Sequence, residues 1–255
     1  MLIFISSPAP LAALLLLSLS SLLAQPASAQ KNKGNATAPA FTGPRRLQPL
    51  YGNLAPAQAQ QAAGAAMLAN VASSFASRAE ASKFFSQKGF EYLREGQPDT
   101  AIVRFNLAYV LDPLNPDPYR GLAVLLSQRP APTDPTAAAA ADETVRGLVL
   151  RGLAVAPTNA LLLTDAATTA FGRYEATRKK RDLLEADSYA QRALLADPAI
   201  AAAWQTQARV RFAQQDYAGS WQAVHKAQAL NLSSLDFQFL TELLAKAPDP
   251  DGKFK

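Results

Sequence analysis

Residues 83–113 have the sequence KFFSQKGFEYLREGQPDTAIVRFNLAYVLDP, and this stretch decides the fold. The run Gly96–Pro98 interrupts it, which predicts two helices joined by a tight turn. Two antiparallel helices cross closely only where small residues meet. Gly89 lies on the first predicted helix, and Ala101 and Ala108 lie on the second. The stretch is therefore predicted to form one tightly packed helix hairpin.

Aromatic residues surround this crossing, and Pro113 is predicted to end the second helix because proline has no amide hydrogen. In order, the pattern is Phe85-x2-Lys88-Gly89-x2-Tyr92, then Ala101-x3-Phe105, then Pro113. It resembles the tetratricopeptide repeat, a helix-turn-helix of about 34 residues with the signature W-x2-L-G-x2-Y, then A-x3-F, then P. Lys88 departs from the family's pattern by replacing an apolar residue, and its aliphatic stem can lie along the groove.

The closing position of this unit recurs along the chain. Pro157 follows Pro113 by 44 residues, and Pro198 follows Pro157 by 41. Leu232 replaces the closing proline 34 residues later. Two units are thus longer than the family's repeat, and their extra residues are predicted to lie between the two helices, at 129–136 and 173–182.

The composition favours helices, since Ala and Leu supply much of the apolar content. The resemblance implies an all-α domain over 81–246, a right-handed superhelical array of about four antiparallel helix hairpins. A C-terminal capping helix is predicted at 235–245, with Phe237, Leu240 and Leu244 on one face. A generic bundle of Ala-rich helices is the alternative fold.

The N-terminus carries a predicted export signal over 1–29. The apolar stretch Leu11–Ala24 has 14 residues, whereas a membrane-spanning helix needs about 20. Ala27-Ser28-Ala29 then supplies the small residues that signal peptidase requires. The predicted location is therefore outside the cytoplasm, in the periplasm or cell envelope. No Lys or Arg precedes the apolar stretch, so an uncleaved membrane tether is the alternative.

Two further segments separate this signal from the repeats. Residues 30–54 are rich in Ala, Pro, Gly and Asn without an apolar period, which predicts a flexible spacer. Residues 55–80 are predicted to form an N-terminal helix that starts at Pro56. Gly64 weakens that helix slightly.

The composition restricts the chemistry open to the chain. It has no Cys and a single His, His225, which excludes disulfides, Cys-based metal sites and a His-rich metal site. The net charge of +5 does not identify a nucleic-acid partner, and no phosphate-binding loop is present. Asp182 and Glu185 are neighbouring carboxylates without a visible apolar pocket to raise a pKa. No catalytic residue, cofactor site or metal ligand is predicted.

The resemblance implies that the first helix of each hairpin lines a concave surface that binds a protein or peptide. A helical wheel places ten candidates on this surface: Phe90, Arg94, Arg120, Val124, Thr164, Thr168, Phe171, Gln205, Arg209 and Phe212. Their aromatic rings and guanidinium groups would suit a segment with apolar anchors and carboxylates. The alternative for the aromatic residues is ordinary core packing. The basic run Arg178–Arg181 is either an anionic docking patch or a solvated connection.

Together these features predict a non-enzymatic exported scaffold that binds a partner protein or peptide. A membrane-tethered structural subunit of an envelope complex is one alternative, which needs the N-terminal segment to be retained. A small envelope hydrolase is another, which needs a catalytic constellation around His225 or an acidic pair.

Overall fold

A computed structural model describes residues 44–232 and 235–255. The predicted signal peptide over 1–29 and the spacer residues 30–43 lie outside the described residues. Within the described ranges, each helix is either too short or too polar to cross a membrane.

The described residues are all-helical, with no strand among them. A short 3-10 helix, Pro44–Leu47, precedes twelve α-helical segments. These are α1 (Leu50–Asn53), α2 (Pro56–Ala63), α3 (Ala65–Ala72), α4 (Arg78–Arg94), α5 (Pro98–Leu111), α6 (Asp117–Ser127), α7 (Pro135–Val155), α8 (Ala160–Thr177), α9 (Lys180–Ala196), α10 (Ala201–Ala213), α11 (Tyr217–Leu230) and α12 (Phe237–Leu244).

Helices α4 to α11 pack as four consecutive pairs, α4/α5, α6/α7, α8/α9 and α10/α11. The predicted hairpins are thereby confirmed as adjacent helix pairs. We call α4, α6, α8 and α10 the first helices and their partners the second helices. The first helices also contact one another in series, α4 with α6, α6 with α8 and α8 with α10. The pairs therefore share one continuous face made of first helices.

The ends of the first pair follow from its sequence. Ser77 precedes α4, and its hydroxyl accepts a hydrogen bond from the Glu80 amide at 3.0 Å. The Glu80 carboxylate in turn accepts one from the Ala76 amide at 2.9 Å. Gly96 adopts a φ of 71° in the turn, and Pro98 is the first residue of α5.

Phe105 fills the crossing between the first two pairs. Its side chain is fully buried and lies against the backbone of Gly89 on α4 and of Gly121 on α6. A Cβ added at Gly89 would lie 2.5 Å from the Phe105 ring, and one at Gly121 would lie closer still. The sequence pattern found Gly89 but missed Gly121.

The N-terminal arm, residues 44–54, packs on the second helices instead of forming a flexible spacer. Asn106 of α5 is fully buried and fastens the arm at three points. Its Nδ2 donates to the carbonyls of Arg46 and Gln48 at 2.9 and 2.8 Å, and its Oδ1 accepts from the Leu50 amide at 2.8 Å. Arg151 of α7 also donates to the Asn53 side chain at 3.1 Å.

Three other boundaries differ from the prediction. The helix expected over 55–80 is divided at Gly64, which has a φ of 82°, into α2 and α3. In the third pair, the extra residues lengthen α8 and α9, so only residues 178–179 connect them. The capping helix α12 begins at Phe237, whose side chain is 69 % exposed, and buries Phe239, Leu240 and Leu243 instead of Leu244.

Candidate functional site

Two grooves open on the face of the first helices. The N-terminal groove lies between α4 and α6 and has a volume of about 530 Å³. Its lining includes the predicted residues Phe90, Arg94, Arg120 and Val124. Gln87 and Gln128 also line it, and neither was predicted.

Arg120 joins three first helices at the wall of the N-terminal groove. Its guanidinium lies 5.5 Å from the centre of the Phe90 ring on α4, a cation–π distance. Its Nε lies 2.9 Å from Oδ2 of Asp165 on α8. Burial raises the pKa of the Asp165 carboxyl, and the neighbouring Arg120 opposes that rise only in part. Arg120 thus already holds a carboxylate of its own chain.

The C-terminal groove lies between α8, α10 and α12 and has a volume of about 320 Å³. The predicted residues Thr168, Phe171, Gln205 and Arg209 line it. Helix α12 supplies the opposite wall with Asp236, Phe239 and Leu240. Nothing in the sequence predicts that α12 lies beside a groove. The residue type of Asp236 is typical of a helix cap, and its carboxylate accepts a hydrogen bond from the Phe239 amide at 3.1 Å.

Arg209 repeats the arrangement of Arg120 in the C-terminal groove. Its guanidinium lies 5.8 Å from the Phe171 ring centre and 5.7 Å from the Phe239 ring centre. Its Nη2 lies 3.3 Å from the carboxylate of Asp236. In both grooves an arginine therefore stacks on an aromatic ring of the preceding first helix. It also pairs with a carboxylate two helices further along the chain, Asp165 on α8 for Arg120 and Asp236 at the start of α12 for Arg209.

Two grooves thus hold eight of the ten predicted residues. Thr164 lies outside them because its side chain is buried, with its hydroxyl donating to the Ala160 carbonyl at 2.8 Å. Phe212 also lies outside them and packs within the last pair, against Tyr217 and against Phe239 of α12 at ring distances of 5.6 and 5.5 Å.

Polar groups remain available in both grooves. Arg94 is exposed and has no ion-pair partner among the described residues. The Nε2 of Gln205 is buried and has no hydrogen-bond acceptor within the described chain. A buried donor of this kind gains free energy from an acceptor that enters the groove, such as a peptide carbonyl.

His225, Asp182 and Glu185, which the sequence analysis also considered, lie outside both grooves. His225 on α11 has both ring nitrogens against carboxylates, Nε2 at 2.9 Å from Asp249 and Nδ1 at 3.1 Å from Asp251. Neither nitrogen therefore faces a hydroxyl nucleophile. Asp182 and Glu185 both pair with Arg173, at 3.5 and 2.6 Å.

The basic run Arg178–Arg181 is exposed throughout. Arg178 ends α8 in the left-handed conformation, with a φ of 56°, and its guanidinium lies 5.4 Å from the Tyr174 ring centre. Among the described residues, no group of three or more His, Asp or Glu side chains could hold a metal ion.

A scan against models of known protein families found no match to this chain, and a search of curated proteins found none similar to it.

Proposed function

We propose that this protein is an exported, non-enzymatic scaffold that binds a partner protein or peptide on the concave face of a tetratricopeptide-like array. The observation that carries the proposal is the lining of the two grooves. Eight residues chosen from the repeat pattern alone line them, and both grooves lie on the face of the first helices.

The contacts between pairs support a face that curves toward the grooves. First helices contact one another in series, whereas the second helices α5, α7 and α9 each contact the first helix of the next pair. An array whose first helices approach one another more closely than its second helices bends toward the first helices. Such a bend brings the N-terminal and C-terminal grooves to one inner side.

The chemistry of the grooves suits a polypeptide segment. Phe90 and Val124 offer apolar contacts in the N-terminal groove, whereas Phe171 and Phe239 are buried in the wall of the C-terminal groove. Gln205 and Arg94 offer donors for carbonyl or carboxylate oxygens. Because Arg120 and Arg209 already hold internal carboxylates, they shape the grooves. Arg94 and Gln205 are the donors that would contact the partner.

The proposal is tested by crosslinking the full-length protein in the cells that produce it and identifying what is attached. Two variants then probe the grooves, Arg94→Ala/Val124→Ala and Thr168→Ala/Gln205→Ala. Each is expected to reduce recovery of the partner by about fivefold or more, since truncating central interface residues weakens binding by that order.

A matched control is Thr144→Ala/Lys226→Ala, which alters exposed residues on the second helices α7 and α11. It should recover the partner at the wild-type level, and all variants should keep the wild-type circular dichroism spectrum. Equal recovery from the groove variants and the control would overturn the assignment of the binding face.

A further inference from the structure

A further pocket, which we call the lateral pocket, opens on the opposite side of α10 from the C-terminal groove. Residues of α9, α10 and α11 line it, among them Gln191, Trp204, Gln207, Arg211 and Gln222. Its volume is about 420 Å³, within the range of roughly 300–1,000 Å³ that small-molecule sites occupy. Because it shares no lining residue with the C-terminal groove, it is a separate place to bind a ligand.

Asp187 of α9 fixes the orientation of the Gln207 side chain. Its carboxylate accepts hydrogen bonds from Nε2 of Gln191, Gln207 and Gln214 at 2.9, 3.2 and 3.1 Å. Burial alone would raise the pKa of the Asp187 carboxyl, but these three amides outweigh burial and hold its pKa below the ordinary value. Since an ionised carboxylate only accepts hydrogen bonds, each amide turns its NH₂ group toward Asp187. The amide oxygen of Gln207 is therefore directed away from that carboxylate.

The Oε1 atom of Gln207 is left without a hydrogen-bond donor. The residue is 5 % exposed, and among the described residues no group donates to its buried Oε1. A buried acceptor without a partner is unfavourable, and rotation of the amide does not relieve it because Asp187 requires the NH₂ group. Gln207 lines the lateral pocket, so a ligand that brings a hydroxyl or N–H group to Oε1 is stabilised there.

The other walls of the lateral pocket combine an aromatic ring with paired charges. The indole Nε1 of Trp204 donates to the Pro198 carbonyl at 2.8 Å, which fixes the ring in place. Arg211 and Asp216 are the charged residues among the described residues that line the pocket, and they lie 3.7 Å apart. Asp216 also accepts a hydrogen bond from the Gly219 amide at 2.9 Å. The described lining therefore carries no unpaired charge, which favours a neutral ligand over an ion.

We propose that the lateral pocket binds a neutral sugar unit of a glycan, which lies against Trp204 and donates a hydroxyl hydrogen to Oε1 of Gln207. A sugar ring has flat apolar faces of C–H groups that suit an indole. Each of its hydroxyls both donates and accepts, so the same ring also accepts from the amide of Gln222 and the guanidinium of Arg211. This site is additional to the two grooves, and its occupancy does not depend on a protein partner.

Tryptophan fluorescence of the full-length protein tests the site. The chain has two tryptophans, and Trp221 is 1 % exposed, so Trp204 is the residue whose emission a ligand in the lateral pocket alters. The probes are three neutral oligosaccharides, cellotetraose, maltotetraose and chitotetraose, with N-acetyl-tetraalanine amide as the peptide alternative. At least one oligosaccharide should give a saturable change in emission at millimolar concentration and protect Trp204 from quenching by acrylamide. A saturable change with none of the three, or with the peptide alone, would rule out a sugar site.

Two variants on α10 separate the lateral pocket from the C-terminal groove. Gln207→Met removes the acceptor at nearly constant volume. It should raise the dissociation constant of the oligosaccharide by about tenfold, the order expected for one buried hydrogen bond. Gln205→Met is the matched control, because Gln205 lies two positions away and lines the C-terminal groove instead. It should bind the oligosaccharide as the wild type does.

Gln222→Ala gives a second reading if Gln207→Met lacks the wild-type circular dichroism spectrum. Gln222 is exposed, so its truncation leaves the packing intact and should weaken oligosaccharide binding by about threefold. Wild-type affinity in both Gln207→Met and Gln222→Ala would show that the sugar binds elsewhere. Because Gln207→Met leaves both grooves intact, it should recover the crosslinked partner at the wild-type level. A failed oligosaccharide titration is thus separate from a failure of the proposed partner binding.

Discussion

Phe105 occupies space that two glycines on different helices leave open. Its ring is fully buried and lies against Gly89 and Gly121, so a methyl group at either glycine has no room. We predict that Gly121→Ala lowers the free energy of unfolding by about 1–3 kcal/mol through overpacking. Urea unfolding followed by circular dichroism measures this loss.

The control for that substitution is Gly147→Ala on α7. A Cβ at Gly147 meets no atom within 4 Å, so the variant should gain up to about 1 kcal/mol from helix propensity. If both alanine variants changed stability equally, the Phe105 contact would not be the cause.

At the level of elements, the N-terminal arm combines local strain with buried contacts. Leu50, Tyr51, Gly52 and Asn53 all have positive φ angles, 49°, 55°, 78° and 66°, so the short segment that we label α1 is a left-handed turn and not a regular right-handed α-helix. Such a turn costs about 1–2 kcal/mol for each residue other than glycine. Burial of Leu50 and Tyr51 and the three hydrogen bonds of Asn106 offset this cost.

Asn106→Asp should release the arm from α5. A carboxylate keeps the acceptor for the Leu50 amide, but it places an oxygen against the carbonyls of Arg46 and Gln48 in place of a donor. We expect a loss of about 1–3 kcal/mol in the free energy that holds the arm. The measurement is the rate of trypsin cleavage after Arg46 in the folded protein.

Asn70→Asp makes the same chemical change on the exposed face of α3 and should leave the cleavage rate unchanged. A wild-type cleavage rate in Asn106→Asp would show that the arm is held by other contacts.

The sequence predicted the helix pairs better than it predicted the elements around them. The helix crossing was predictable from Gly89 and Ala101, and the helix ends were predictable from the recurring prolines. Both features depend on residues that are close in the sequence. The arm was missed because Asn106 lies 56 positions from the Leu50 amide that it binds. The lining of the grooves was largely predictable from helical periodicity. The ion pairs of Arg120 with Asp165 and of Arg209 with Asp236 were not, because each carboxylate belongs to a different element from its arginine.

Across the whole molecule, Arg120 links three successive pairs through Phe90 and Asp165. Arg120→Met keeps an aliphatic contact with Phe90 but leaves the Asp165 carboxylate without its partner. We predict a loss of about 1–3 kcal/mol in the free energy of unfolding near neutral pH. Urea unfolding is the suitable measurement, because guanidinium salts screen ion pairs.

This loss should depend on pH in a defined direction. Burial raises the pKa of Asp165 in the folded state, and removal of Arg120 raises it further. Folding then favours the protonated carboxyl, so the penalty shrinks toward about pH 4 and grows as the pH rises to about 7. Adding Asp165→Asn to Arg120→Met should recover part of the stability at neutral pH.

Arg94→Met serves as the matched control, since Arg94 is exposed and lacks an ion-pair partner among the described residues. It should change stability by less than about 0.5 kcal/mol at either pH. A pH-independent deficit in Arg120→Met would show that lost packing, and not the bare carboxylate, is responsible.

The position of the N-terminal arm also decides how the protein should be mounted for binding measurements. The arm is fastened to α5 and α7, away from the first helices that form both grooves. An affinity tag placed N-terminal to the arm would immobilise the protein on a sensor surface through the side of the second helices. Both grooves would then remain accessible to the analyte. A tag on Lys255 would lie next to Phe254, whose ring stacks on Trp221 of α11 at 5.8 Å.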